Sequence, residues 1–176
     1  AQLVAEELDC NWSKVKWEYP TPGQNVARNR VWGNMSTGGS RGIRESQDYV
    51  RQGGAAARQM LIKAAADQWK VPVGEVTTNA GVITHAASKR TTSYGKVAAA
   101  AAKLPVPDLK TMTLKDPKDW KIAGKPLKRL DTADKLTGKQ VYGIDLKMPG
   151  MLLASIKDSP VHGGKIKSVD DAKAKS

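Results

Sequence analysis

Hydrophobic and small residues between positions 46 and 69 recur at intervals of three and four, the spacing of one face of an α-helix. The members of this face are Val50, Gly54, Ala57, Leu61, Ala64 and Ala65. Ser46 occupies the position expected for an N-cap, and Pro72 interrupts any continuation of the helix. The spacing therefore predicts a long helix from about Ser46 to Trp69.

Two adjacent glycines, Gly53 and Gly54, lie inside this predicted helix and are followed by three alanines. Each glycine in a helix interior costs about 1 kcal/mol relative to alanine. Small residues at this point indicate that another group packs close to the helix backbone. The pattern favours a neighbouring helix or sheet, and a bound ligand is the alternative.

Shorter patterns predict the other elements. Residues 1–9 are typical of the end of a helix with Leu3, Val4 and Leu8 on one face, and Ser93 is placed to begin a helix over 94–103. Alternation and short apolar runs predict strands at 15–19, 75–78, 81–85, 140–146, 151–156 and 165–169. Loops or turns are predicted at 20–34, 35–46, 79–81 and 148–150.

Four prolines between residues 104 and 126 predict a linker or an extended crossing segment. This divides the chain into residues 1–103, a linker of residues 104–126 and a second region of residues 127–176. Helices and strands occur in both flanking regions, so the predicted fold class is α/β or α+β.

Several functional classes are disfavoured by the apolar residues, cysteine and histidines. The longest apolar run, 97–102, is far shorter than the roughly 18 residues expected of a membrane span. No signal-peptide pattern is visible, and the chain opens within a helix pattern, so we expect a piece of a larger protein. Cys10 alone predicts no internal disulfide, Fe–S cluster or cysteine-based zinc site. His85 and His162 are interpreted as surface loop residues, with no metal ligand or catalytic residue assigned.

The charge of the chain changes this picture. Its 29 lysines and arginines exceed its 17 acidic residues and give a net charge of +12, which favours an anionic partner. Nucleic acid is one such partner, but no nucleic-acid-binding motif is present and the tryptophans are scattered. Six of the eight arginines are concentrated in the first third of the chain, at Arg28, Arg30, Arg41, Arg44, Arg51 and Arg58. Because arginine binds phosphate through a rigid fork, this cluster favours a specific anion.

The Gly-rich segment 37–46 lies within the arginine cluster and precedes the long helix. Successive amides in a glycine turn, a helix N-terminus and the Arg41 and Arg44 side chains would together suit a phosphate or pyrophosphate. The segment has neither the Gly-Lys-Ser/Thr of a Walker A loop nor the spacing of a dinucleotide fold. A flexible loop with solvated arginines is the alternative interpretation.

Several short motifs, in order along almost the whole chain, resemble one enzyme family. They include residues 2–10, 38–40, 53–57, 69–72, 79–82, 93–95, 104–107, 114–119, 129–132, 142–145, 148–152 and 163–165. Together they resemble the large subunit of molybdenum hydroxylases, the xanthine oxidase/aldehyde oxidoreductase family. The isoquinoline 1-oxidoreductase beta-subunit type is the most similar branch.

The resemblance implies an enzyme that hydroxylates N-heterocycles or oxidises aldehydes with molybdenum bound through a pterin, in bacteria usually the cytosine dinucleotide. Its pyrophosphate would bind at Gly38, Gly39, Ser40, Arg41 and Arg44. Residues 1–103 would be part of the molybdopterin-binding domain, and residues 127–176 would begin an α/β hammerhead domain. These are expectations from the family.

The resemblance also implies partners and gaps. The expected partners are the remainder of the large subunit and a small subunit with two [2Fe-2S] clusters. The family's Gly-Gln-Gly loop and its catalytic Glu have no counterpart here, so this chain alone is expected to be inactive. Relatives in this branch often carry a twin-arginine export signal, which favours the periplasm over the cytoplasm.

Overall fold

The computed structural model describes residues 1–175, which divide into a unit from Ala1 to Leu130 and a second unit beginning at Asp131. The α-helices of this described part are α1 (Gln2–Leu8), α2 (Pro22–Ala27), α3 (Arg41–Arg44), α4 (Gln47–Trp69), α5 (Tyr94–Ala101), α6 (Thr132–Leu136) and α7 (Ala172–Lys175). The strands are β1 (Val76–Asn79), β2 (Val82–His85) and β3 (Arg90–Ser93). Short 3₁₀ turns occur at Trp12–Lys14, Val73–Glu75, Leu109–Thr111, Pro117–Asp119 and Gly143–Asp145.

Helix α4 confirms the predicted long helix and packs against α1 through Gly54. A Cβ atom at Gly54 would lie 2.8 Å from the Val4 carbonyl oxygen and 2.9 Å from the Glu7 Cβ. Gly53, one position earlier, faces open space. The small residues inside α4 are thus explained at Gly54 by a neighbouring helix, the first of the two interpretations.

The buried side of α1 differs from the prediction. Leu3 and Leu8 are half-buried and Val4 is exposed, whereas Ala5, Glu6 and Glu7 are buried. The predicted apolar face was therefore wrong as the packing face. The carboxylates are tolerated inside because backbone amides and cations surround them, as described below.

The sheet confirms two of the predicted strands. Its order is β1-β2-β3 and both pairings are antiparallel, with Val76 opposite His85 and Val82 opposite Ser93. Ala80 and Gly81 make the β1–β2 turn with φ values of 49° and 82°. Strand β3 was not predicted, because its sequence Arg-Thr-Thr-Ser carries no apolar alternation.

The hydrophobic core lies between α4, α5 and this sheet. It is built from small and β-branched side chains: Ala64, Ala65, Ala66, Val76, Ile83, Val97 and Ala101. The alanines allow the helix to approach the sheet closely, since each adds one methyl group to the interface.

The segment predicted as a linker, residues 104–126, lies within the first compact unit. Backbone amides of Lys115, Lys121, Ile122 and Ala123 are hydrogen-bonded to carboxylates of α1. This part of the segment is therefore packed against α1. The assignment of residues 1–103 and 127–176 to named domains stays a prediction.

Four predicted strands were wrong: 15–19, 140–146, 151–156 and 165–169 carry no strand in the described chain. A strand needs a partner for its backbone groups, and these segments have none within residues 1–175. Most of their apolar side chains are exposed, as Ile144 (94% exposed) and Leu152 (89%) illustrate. The predicted turn at 148–150 is present, with Met151 N–H donating to the Met148 carbonyl.

The segment predicted as a loop, 20–34, contains the short helix α2. Thr21 and Gln24 form a reciprocal capping box, and Pro22 stands at the first helical positions. This sequence, Thr-Pro-Gly-Gln, is a helix-start signature that the prediction missed. With a mixture of helices and a small antiparallel sheet, the described structure is compatible with the α+β class.

The contrast between Gly53 and Gly54 gives a test of the α1–α4 packing. Gly54→Ala is expected to lower the free energy of unfolding by about 1–3 kcal/mol, because its methyl group overlaps α1. Gly53→Ala, the matched control, is expected to raise it by about 1 kcal/mol through helix propensity. Urea denaturation of both variants measures the difference, and equal effects would contradict the close packing.

Candidate functional site

The predicted anion-binding loop precedes the single-turn helix α3. Gly39 and Ser40 both have left-handed backbone conformations, with φ values of 54° and 57°. The Arg41 amide donates to the Gly38 carbonyl oxygen at 3.1 Å, which closes the turn. The five predicted residues, Gly38, Gly39, Ser40, Arg41 and Arg44, are all exposed. The structure therefore brings them together along one short, solvent-facing segment.

The two arginines of this loop differ in whether they form a salt bridge. The Arg41 Nε atom lies 3.0 Å from Glu45 Oε1, one helical turn away, and both side chains are exposed. Arg44 forms no salt bridge within the described part of the chain. An incoming anion would thus compete with Glu45 for Arg41 and meet an unpaired Arg44.

The long helix begins after α3, so its N-terminus does not follow the glycine turn directly as predicted. Ser46, the predicted N-cap, makes no capping hydrogen bond, and its Oγ instead donates to the Gly42 carbonyl oxygen. Whether the loop binds a ligand stays a prediction.

Other members of the predicted arginine cluster have structural contacts. Arg28 lies over the Trp32 ring, 5.3 Å from its centroid. Arg51 is buried, with one guanidinium nitrogen 2.8 Å from Glu7 Oε1 and the same nitrogen donating to the Lys115 carbonyl oxygen at 2.6 Å. The Arg51 guanidinium is therefore engaged within the fold and does not face an external anion.

A buried carboxylate cluster at the end of α1 is the main polar feature that sequence analysis missed. Glu6 is 1% exposed, and its Oε2 accepts hydrogen bonds from the amides of Lys121, Ile122 and Ala123 at 2.5 to 3.0 Å. Its Oε1 lies 3.2 Å from Lys115 Nζ. Burial alone would raise the pKa of Glu6, but the Ile122 and Ala123 amides and the Lys115 ammonium together hold it below its ordinary value of 4.5.

Glu7 is the second buried carboxylate of this cluster. Its carboxylate is fully buried, accepts the Lys115 amide at 3.1 to 3.2 Å and pairs with Arg51. The Arg51 guanidinium in turn lies 5.2 Å from the centroid of the Trp120 ring. Two successive carboxylates thus attach segment 115–123 and helix α4 to α1.

Asp9 extends the cluster to the sheet. It accepts a hydrogen bond from Thr78 Oγ1 at 2.8 Å and lies 3.2 Å from Lys115 Nζ and 3.8 Å from Lys121 Nζ. The Tyr94 hydroxyl donates to the Leu8 carbonyl oxygen at 2.7 Å. Burial, together with the nearby Asp9 carboxylate, raises the pKa of Tyr94 to about 12.

The two histidines and the cysteine lie in different surroundings. His85 closes the predicted strand 81–85 and lies in β2, but its interpretation as a surface loop residue was wrong. It is 4% exposed, with Nε2 2.9 Å from Glu75 Oε2 and Nδ1 2.7 Å from Ser88 Oγ. It is buried because its neighbours satisfy both ring nitrogens. His162 is exposed in the second unit. Burial raises the pKa of the half-buried Cys10 thiol.

The described residues also bear on metal binding and on the membrane. No three His, Cys, Asp or Glu side chains among them are arranged to hold a metal ion. None of their helices combines the length and apolar character needed to cross a membrane.

With this geometry in place, comparison with known proteins defines a class: the chain is similar to part of two oxidoreductases. One is the isoquinoline 1-oxidoreductase subunit beta of Brevundimonas diminuta, 30% identical over 99% of this chain and 26% of that protein. The other is a membrane-bound aldehyde dehydrogenase [pyrroloquinoline-quinone] of Gluconacetobacter polyoxogenes, 31% identical over 99% of this chain and 22% of that protein. No family profile matches the chain.

These relatives confirm the predicted resemblance to the isoquinoline 1-oxidoreductase beta-subunit type. The chain spans about a quarter of the length of the relatives it matches. The activity of each relative belongs to a protein about four times as long as this chain, and it is therefore a proposal for this chain.

The Glu6 carboxylate gives a pH-dependent prediction. Because its pKa is lowered on folding, Glu6 contributes stability that is present above pH 4.5 and is lost as the pH falls through the folded pKa. Glu6→Gln is expected to lower the free energy of unfolding by about 2–4 kcal/mol at pH 7. This deficit should shrink below pH 4.5, where wild type loses the same contribution.

Denaturant titrations from pH 7 to acid measure this convergence. Glu18→Gln is the matched control, since Glu18 is exposed and makes no salt bridge within the described residues. A Glu6→Gln deficit that stays constant with pH would show that the charge of Glu6 does not stabilise the fold.

Proposed function

We propose that this chain is a segment of the large subunit of a molybdenum-dependent oxidoreductase that hydroxylates N-heterocycles or oxidises aldehydes. The observation that carries the proposal is the match of 99% of the chain to isoquinoline 1-oxidoreductase subunit beta. A second match of equal coverage, to an aldehyde dehydrogenase, supports the aldehyde alternative. The names of both relatives describe enzymes that oxidise organic substrates.

Within this proposal, the loop of Gly38, Gly39, Ser40, Arg41 and Arg44 binds the pyrophosphate of a molybdopterin dinucleotide, the cytosine form being expected in bacteria. The donor chemistry supports this assignment, because exposed guanidinium groups and a glycine turn suit a diphosphate. The unpaired Arg44 favours a ligand anion there. Arg41 would exchange its contact with Glu45 for the phosphate.

When bound, the molybdenum–pterin group supplies the two-electron oxidation of the substrate. The chain's own contribution is to hold the nucleotide end of the cofactor and so to position it. The family's catalytic Glu has no counterpart in these residues, so the segment alone is proposed to be inactive. The proposed partners are the remainder of the large subunit and a small subunit with two [2Fe-2S] clusters, with the periplasm as the compartment.

A second candidate comes from the name of the second relative, which specifies pyrroloquinoline quinone. If that group were the redox cofactor here, the guanidinium groups of the same loop would face quinone carboxylates instead of a diphosphate. The two candidates differ in metal and in nucleotide content. They are therefore separable by direct analysis.

The test is analysis of the native polypeptide that contains these residues, purified with its partner subunits from the source organism. The proposal expects a chain about four times as long as this segment, as in the relatives. It also expects molybdenum by elemental analysis, a pterin by fluorescence after oxidation, and CMP released by acid hydrolysis. Pyrroloquinoline quinone without molybdenum, or a native chain of this length alone, would overturn it.

A loop variant tests the residue assignment. Arg44→Ala in the intact enzyme is expected to weaken dinucleotide binding by about tenfold, because one charge-assisted contact to phosphate is lost. Molybdenum and CMP content per subunit after gel filtration measure the loss.

Lys63→Ala is the matched control, since Lys63 is an exposed cation of α4 that pairs with Asp67. Unchanged molybdenum and CMP content in Arg44→Ala would remove Arg44 from the cofactor site. A parallel loss in Lys63→Ala would indicate a general effect of net charge.

A further inference from the structure

The first unit contains an open cavity of about 600 Å³ that the loop at Gly38 does not line. Its walls come from the end of α1, from α4, from β1 and from segment 111–121. The volume lies within the range of small-molecule sites, roughly 300–1,000 Å³. The cavity therefore has room for a small organic molecule.

Three cations and two carboxylates line this cavity, so its formal charge is +1. The cations are Arg58, Lys115 and Lys121, and the carboxylates are Asp9 and Asp119. Asp9 is already paired with both lysines, and Lys115 also contacts Glu6. Lys115 is therefore held by the buried cluster of α1, whereas Lys121 is 62% exposed and reaches Asp9 at 3.8 Å.

Arg58 is the exception among these cations. It is half-buried on α4 and forms no salt bridge or hydrogen bond within the described part of the chain. A half-buried guanidinium is partly desolvated without a partner that compensates it, which favours an anion from outside. Asp119 is exposed, so its charge is more strongly screened by solvent.

The remaining walls supply two further kinds of contact. Hydroxyl groups come from Thr77, Thr111 and Thr113, and apolar surface comes from Ile62, Val73 and Met112. Thr78 also lines the cavity, but its hydroxyl donates to Asp9. The cavity thus combines an unpaired cation, hydroxyl donors and an apolar wall, the usual composition of a small-ligand site.

We propose that this cavity binds a small organic monocarboxylate, with the carboxylate at Arg58 and the apolar body against Ile62, Val73 and Met112. The single unpaired guanidinium and the net charge of +1 match one negative charge. The carboxylates of Asp9 and Asp119 disfavour a multiply charged anion such as pyrophosphate. This site is separate from the loop proposed for the dinucleotide and does not depend on it.

Titration of the full chain with benzoate, followed by amide NMR shifts, tests the proposal. Benzoate is expected to bind saturably, with a dissociation constant of about 1 mM or below, and to shift the amides of Thr77, Thr111 and Thr113. Benzamide has the same shape without the charge and should bind at least about tenfold more weakly. Pyrophosphate should not compete with benzoate.

Variants assign the binding to Arg58. Arg58→Gln is expected to weaken benzoate binding at least about tenfold, whereas Lys63→Gln, on the same helix, leaves it unchanged. Arg44→Ala should also leave it unchanged, which separates this site from the proposed dinucleotide loop. If Arg58→Gln lowers the melting temperature, Thr113→Val supplies a second measurement and should weaken benzoate binding severalfold.

Three results with benzoate would overturn the proposal, and a fourth concerns pyrophosphate. They are the absence of saturable binding of benzoate, equal binding of benzamide, and benzoate shifts that persist at full strength in Arg58→Gln. Competition by pyrophosphate would identify a multiply charged anion as the ligand class and contradict the monocarboxylate.

Discussion

The first unit depends on two adjacent carboxylates that face inward from a short helix. Glu6 and Glu7 are buried, and each would cost several kcal/mol if it were left without partners. The amides of segment 115–123, together with Lys115 and Arg51, supply those partners. The segment therefore lies where the buried charges are satisfied, and removing either carboxylate would leave its partners uncompensated.

The same constraint explains features of neighbouring elements. Helix α1 has to approach α4 closely for Glu7 to reach Arg51, and Gly54 permits that approach. Asp9 continues the charge pattern to β1 through Thr78 and shares Lys115 with Glu6. As a result, both lysines at the wall of the 600 Å³ cavity lie beside Asp9, and Arg58 is the one cation of this wall that forms no salt bridge within the described residues.

Local signals made part of this structure predictable. The spacing along α4, the Ser93 start of α5 and the turn between β1 and β2 depend on neighbours in sequence, and the structure confirms them. Glu6 and Glu7 look like ordinary surface residues of a helix, because their partners lie far away in sequence: Arg51 is 44 positions from Glu7, and segment 115–123 is more than a hundred positions from both. The alternating segments after residue 139 predicted strands, but alternation supplies no pairing partner, and within the described chain they have none. For the candidate site, residue types predicted an anion-binding loop. They did not predict that α3 separates this loop from α4, or that Arg58 lines a cavity, because both depend on tertiary structure.

Hydrogen exchange of the backbone amides tests the buried carboxylates most directly. If Glu6 and Glu7 hold segment 115–123, the amides of Lys115, Lys121, Ile122 and Ala123 should exchange orders of magnitude more slowly at neutral pH than those of Val106 and Lys125, which donate no hydrogen bond within the described residues. Their protection relative to core amides of α4 should decrease as Glu6 becomes protonated. Exchange of these four amides at unprotected rates at neutral pH would contradict the account, since the carboxylates would then be buried without the partners that make their burial possible.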